Sequence, residues 1–80
     1  MRVEVRLYAI FSKYAPTQRA GDRFDVDVAD SASLSDLIER LQIPEAEVHL
    51  AIVNGLVVHD RTRILQDNDR VGLFPPVGGG

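Results

Sequence analysis

The sequence predicts an α+β roll, a small mixed sheet with one main helix packed on one face. Three observations predict it. Apolar residues alternate along the N-terminus, a single stretch in the middle has helical spacing, and Asn54-Gly55 joins two β-rich runs. Eighty residues make one domain with room for a single modest core.

Along the first strand, Val3, Val5, Leu7 and Ala9 fall on one face and Arg2, Glu4, Arg6 and Tyr8 on the other. Ile10 to Tyr14 reads as a short helical turn, and Ala15 to Gly21 as a loop. Phe24, Val26 and Val28 alternate with Asp25 and Asp27, a second strand expected to pair antiparallel with the first and to set its aspartates near Arg2 and Arg6. Leu34, Leu37, Ile38 and Leu41 form the apolar stripe of the helix. Ser33 is its expected cap, Asp36 the acid three residues on, and Gln42 its end, because Pro44 disfavours helical geometry at Ile43.

Val48 to Val53 and Leu56 to Val58 flank Asn54-Gly55, which suits a type I′ hairpin turn because both central residues need positive φ. His59 to Arg63 is a polar connection, Ile64 and Leu65 are expected to close the bottom of the core, and Gln66 to Asp69 is a turn. In the last strand, Arg70 to Phe74, Val71 and Leu73 face inward while Gly72 and Phe74 face outward. One helix covers one sheet face and leaves the other free. There Phe74 and Tyr8, joined by Val53 or Val57, are expected to anchor a docking partner.

Composition narrows the function. The absence of cysteine excludes disulfides, Cys-ligated metal and a thiol nucleophile within the chain. A net charge of −3 with dispersed arginines argues against nucleic acid. No apolar run has membrane-spanning length, so the expectation is a cytoplasmic protein without a membrane partner. His49 and His59 have no third ligand, and Gln66 to Asp69 lacks the glycine and distal glutamate of a calcium loop, so no metal site is assigned. No nucleophile elbow, Walker loop or dinucleotide fingerprint is present, and the chain does not read as a self-sufficient enzyme.

The chemistry is expected in the tail. Residues 1–74 read as the domain, and residues 75–80, Pro-Pro-Val-Gly-Gly-Gly, as an extended arm. Pro75 and Pro76 favour an extended path, while Gly78 and Gly79 can thread a narrow channel. Six extended residues reach about 20 Å, enough to deliver the Gly80 carboxylate into another protein's active site. A carboxylate is a poor electrophile until joined to phosphate as a mixed anhydride. The arm is therefore a substrate handle for a partner enzyme.

The ending Phe74-Pro75-Pro76-Val77-Gly78-Gly79-Gly80, behind Leu65-Gln66-Asp67-Asn68-Asp69, resembles the MoaD/ThiS family of ubiquitin-like sulfur carriers. At pattern level the likeness extends through the opening strand, the Leu34–Leu41 helix and the Val53-Asn54-Gly55 turn. Asn68 stands where the family often has glycine, and Gln66 where it often has lysine. The resemblance implies the β-grasp (ubiquitin-like) fold. It also implies that a ubiquitin-activating-like adenylyltransferase consumes ATP to adenylate Gly80. A sulfur donor protein then supplies sulfur for a C-terminal thiocarboxylate, and the carrier itself binds no cofactor. In the MoaD branch the tail enters the large subunit of molybdopterin synthase for molybdenum cofactor biosynthesis; in the ThiS branch the sulfur goes to the thiazole of thiamine. Other members serve cysteine, tungsten-cofactor or transfer-RNA synthesis, or are conjugated to lysines as modifiers. The diproline and the chain length favour the MoaD branch.

Overall fold

In the computed structural model, which describes residues 1–76, the alternating N-terminal residues form β1 (Arg2–Leu7). β2 (Arg23–Asp27), α1 (Leu34–Arg40), β3 (Leu50–Val53), β4 (Leu56–Val57) and β5 (Arg70–Phe74) follow. The sheet order is β2-β1-β5-β3-β4, with β1 and β5 parallel and the other neighbours antiparallel. With one helix against one face, this is the β-grasp roll. The first and last strands of the chain lie side by side at its centre.

α1 starts in a capping box: Asp36 N–H donates to Ser33 Oγ at 3.1 Å, and Ser33 N–H donates to Asp36 Oδ2 at 2.9 Å. A seven-residue helix cannot hold itself in water, so its stability comes from packing. Leu34, Leu37 and Ile38 are fully buried against Val3, Val5 and Leu7 of β1, Val71 and Leu73 of β5, and Ala51 and Val53 of β3. The helix ends at Arg40, slightly before the expected Gln42, which adopts a left-handed φ of 62° ahead of Pro44.

Three expectations need correction. Ala9 does not continue the inward face of β1: its φ of 53° takes the chain out of the sheet into a 3-10 helix, Ala9–Tyr14, which buries Phe11 instead. Leu65 closes the core but Ile64 is exposed, because adjacent residues in extended chain point to opposite sides. Arg2 does meet Asp27, but the register sets Arg6 opposite Arg23 and Asp25 opposite Glu4. An unforeseen 3-10 turn, Glu45–Glu47, also shortens the third strand, leaving Val48 buried outside it.

The Asn54-Gly55 turn has the expected signs, φ 52° and 83°. Asn54 does more than turn the chain. Its Nδ2 donates to Asp69 Oδ1 at 2.8 Å, and its Oδ1 accepts from the Arg70 backbone N–H at 2.9 Å. Asp69 is a buried carboxylate, and its Oδ2 accepts from the Gln66 N–H at 2.8 Å. Its carbonyl accepts from Glu4 N–H at 2.8 Å, which ties the same corner to β1. Asn68 stands at φ 69°, a conformation asparagine tolerates where glycine would be the usual choice.

Asn54→Ala would leave Asp69 with an unmet oxygen and Arg70 without its acceptor, and would put a methyl side chain at positive φ. It should lower unfolding free energy by about 1–3 kcal/mol in urea titration. The exposed pair at the start of β1 gives a pH prediction. A hydrogen bond from Arg2 Nε to Asp27 Oδ1 (3.1 Å), with the attraction of the guanidinium, holds the Asp27 carboxyl below its ordinary range. A carboxyl lowered in the folded state contributes stability above its unfolded pKa and loses it as pH falls through the folded one. Arg2→Gln should therefore shift the Asp27 titration upward, followed by NMR, and remove its share of the acid-side loss of stability.

Candidate functional site

The sheet face opposite α1 is open. Its central feature is an open groove of about 460 Å³ whose lining includes Arg6, Tyr8, Arg23, Ile52, Gly72 and Phe74. The elements fix these residues by alternation. Val5 and Leu7 face the core, so Arg6 and Tyr8 face the groove; Val71 and Leu73 are buried, so Gly72 and Phe74 face out.

Tyr8 and Phe74 stack, with ring centroids 4.3 Å apart and planes 4° from parallel. They meet because the parallel register pairs Leu7 with Leu73 and Tyr8 N–H donates to the Leu73 carbonyl at 3.3 Å. Gly72 forms the floor beneath them: a Cβ there would stand 3.5 Å from Tyr8 Cε2 and 3.6 Å from Phe74 Cε1. The expected patch is thus assembled, with Ile52 added to its aliphatic side and Val53 removed from it. Val53 is fully buried in the core, whereas Ile52 faces the groove and Val57, its partner across the hairpin, is half exposed.

The root of the tail lies beside the stack. The Phe74 carbonyl accepts from His49 N–H at 2.9 Å. Pro75, which has no N–H to extend the ladder, is buried, and Pro76 is exposed. Gly78, Gly79 and Gly80, the residues expected to thread a channel and carry the reactive carboxyl, lie outside the described residues, as does Val77.

Elsewhere the chemistry is sparse. His49 and His59 are both exposed. Among the described residues, no three His, Asp or Glu side chains converge as a metal site would require. Arg61, read in sequence as a loop cation, is half-buried and donates through Nη2 to the Val48 carbonyl at 2.8 Å. No helix of the described residues is long and apolar enough to cross a membrane.

The ThiS family model matches residues 9–80. Among solved structures, a Pyrococcus furiosus protein provisionally assigned as molybdopterin converting factor, subunit 1, is 28% identical, with 96% of this chain and 99% of that one covered at a TM-score of 0.71. A chain from the complex of subunits 1 and 2 of molybdopterin-converting factor from Helicobacter pylori is also 28% identical, over the whole of both chains, with a TM-score of 0.62. SAMP1 from Haloferax volcanii, 24% identical over both whole chains at a TM-score of 0.71, shares the fold. No curated protein sequence matches the chain.

Because a Cβ at Gly72 would make ordinary contacts with both rings, and its φ is not in the left-handed region, Gly72→Ala should keep or slightly raise the thermal midpoint. Gly72→Phe would force the rings apart and lower it. Thermal unfolding followed by circular dichroism separates the two.

Proposed function

Because the chain belongs to the ThiS family, we propose that it is a sulfur carrier of the molybdopterin type, the small, sulfur-donating subunit of a molybdopterin synthase. The observation that carries the proposal is the root of the tail. β5 ends at Phe74, beside an open aromatic stack, and the sequence runs on from there as Pro75-Pro76-Val77-Gly78-Gly79-Gly80. Similarity at 28% identity to the two molybdopterin-converting-factor chains, together with the diproline, favours this branch over the thiazole branch.

The Gly80 carboxylate oxygen attacks the α-phosphorus of ATP on an adenylyltransferase, and pyrophosphate leaves. A sulfide-equivalent nucleophile from a sulfur donor protein then attacks the acyl carbon and AMP leaves, giving the thiocarboxylate. The thiocarboxylate sulfur is the better nucleophile. On the large synthase subunit it bonds to a carbon of the pterin precursor as an oxygen substituent leaves. Water then cleaves the Gly80 acyl–sulfur bond, leaving the sulfur on the pterin and restoring the Gly80 carboxylate. The carrier contributes reach and docking: Gly78 and Gly79 admit the arm, and Tyr8, Phe74, Pro75 and Pro76 set where it starts. The cysteine-free chain brings no competing thiol.

Incubation with the cognate activating enzyme, ATP and a sulfide source should add the mass difference of sulfur for oxygen, with reactivity towards thiol alkylation, read by intact mass spectrometry. Deleting Gly79 and Gly80 should abolish adenylation while leaving the circular dichroism spectrum unchanged. Adenylation of the truncated chain would refute the assignment. Recovery from the native host of Gly80 joined to lysines of other proteins would favour the modifier reading instead.

A further inference from the structure

The groove beside the tail root holds a charge arrangement that folding does not require. The β1–β2 register places Arg6 directly opposite Arg23, and like charges so placed on antiparallel strands destabilise their pair. Among the described residues only Glu4 stands between them: its Oε2 is 3.8 Å from Arg6 Nε and its Oε1 is 3.7 Å from Arg23 Nη1. Charge-assisted hydrogen bonds run at about 2.7–2.9 Å, so one carboxylate is stretched across two guanidinium groups and saturates neither. Arg6 makes one further contact, donating from Nη1 to the Gly21 carbonyl at 3.3 Å. Of the β2 aspartates, Asp27 is held by Arg2 and Asp25 stands opposite Glu4; neither forms an ion pair with Arg6 or Arg23. The side chains remain open, 45% exposed at Arg6 and 71% at Arg23. Among the described residues, the groove lining holds Arg6, Arg23 and Arg70 against Glu4 as its one carboxylate, in a chain whose net charge is −3.

We propose that Arg6 and Arg23 form a clamp for an acidic side chain on the adenylating enzyme that receives the tail, seated next to the apolar surface of Tyr8, Phe74 and Ile52. The proposal deepens the sulfur-carrier reading and rests on it, since the receiving protein is the one that acts on Gly80. Guanidinium forks match carboxylate oxygens in a two-point geometry, and two forks facing one opening set direction as well as contact. A local positive spot on a negatively charged chain orients an acidic partner before the tail is engaged. The other anion of the reaction, the ATP phosphate chain, does not suit this position. It reacts at Gly80, and an arm of six residues threaded in extended form sets that carbon about 20 Å from Phe74.

The test measures pyrophosphate release by the adenylating enzyme of the same organism as a function of full-length carrier concentration. Arg6→Glu and Arg23→Glu should each raise KM at least about tenfold and leave kcat within about twofold, since like-charge contact at a docking surface costs binding and not chemistry. Arg40→Glu makes the same charge change at an exposed residue of α1, away from the groove, and should leave KM within about twofold of the unmodified chain. Equal KM values for all three variants would overturn the clamp while leaving the sulfur-carrier reading intact. Arg23→Gln separates docking from folding: relief of the like-charge pair predicts an unchanged or higher thermal midpoint with a raised KM, and a lowered midpoint would make Arg23 structural and overturn its role. Absence of pyrophosphate release with the unmodified carrier would overturn the sulfur-carrier reading, and the clamp with it.

Discussion

The parallel pairing of β1 with β5 is the contact on which the other features depend. It joins residues almost seventy positions apart in sequence, sets Val3, Val5 and Leu7 beside Val71 and Leu73 in the core, and sets the root of the tail. Without it, Tyr8 and Phe74 would have no reason to meet, and the open face would have no centre. Loop-closure entropy makes such distant pairings costly to form. The corner built by Asn54, Asp69 and Arg70 offsets that cost by fixing the start of β5 against the hairpin, and the Glu4–Asp69 backbone bond fixes it against β1.

The buried carboxylate at that corner needs its neighbours. A polar group out of water is tolerated only when it is hydrogen-bonded, and Asp69 has a side-chain donor on one oxygen and a backbone donor on the other. The turn residue and the strand-leading acid therefore constrain each other: Asn54 supplies the left-handed backbone and both halves of its amide in one position.

Much of the architecture was legible in the sequence because it follows from local chemistry. The alternation of Val3, Val5 and Leu7, the Ser33–Asp36 cap and the Asn54-Gly55 turn each have a short-range cause, and each forms the expected element. The outward facing of Tyr8 and Phe74 follows from the same period of two. What the sequence did not reveal depends on register, which no single strand carries. Whether Arg6 faces Asp25 or Arg23 turns on how many residues the Tyr8–Asp22 connection consumes, and the positive φ at Ala9 is set by the burial of Phe11. Likewise Ile52 and Val53 are equally apolar, and only the phase of β3 against β5 decides which one enters the groove. The Asn54–Asp69 bond crosses fifteen positions and left no sequence signal beyond the two polar residues themselves.

The two stacked rings come from opposite ends of the chain, one at residue 8 and the other at residue 74. An unfolded chain still ends in the same two prolines and three glycines, but it has no ring pair and no groove. A partner that grips the stack therefore distinguishes a finished domain from a nascent or damaged one, because the ring pair exists only once β1 and β5 have found each other.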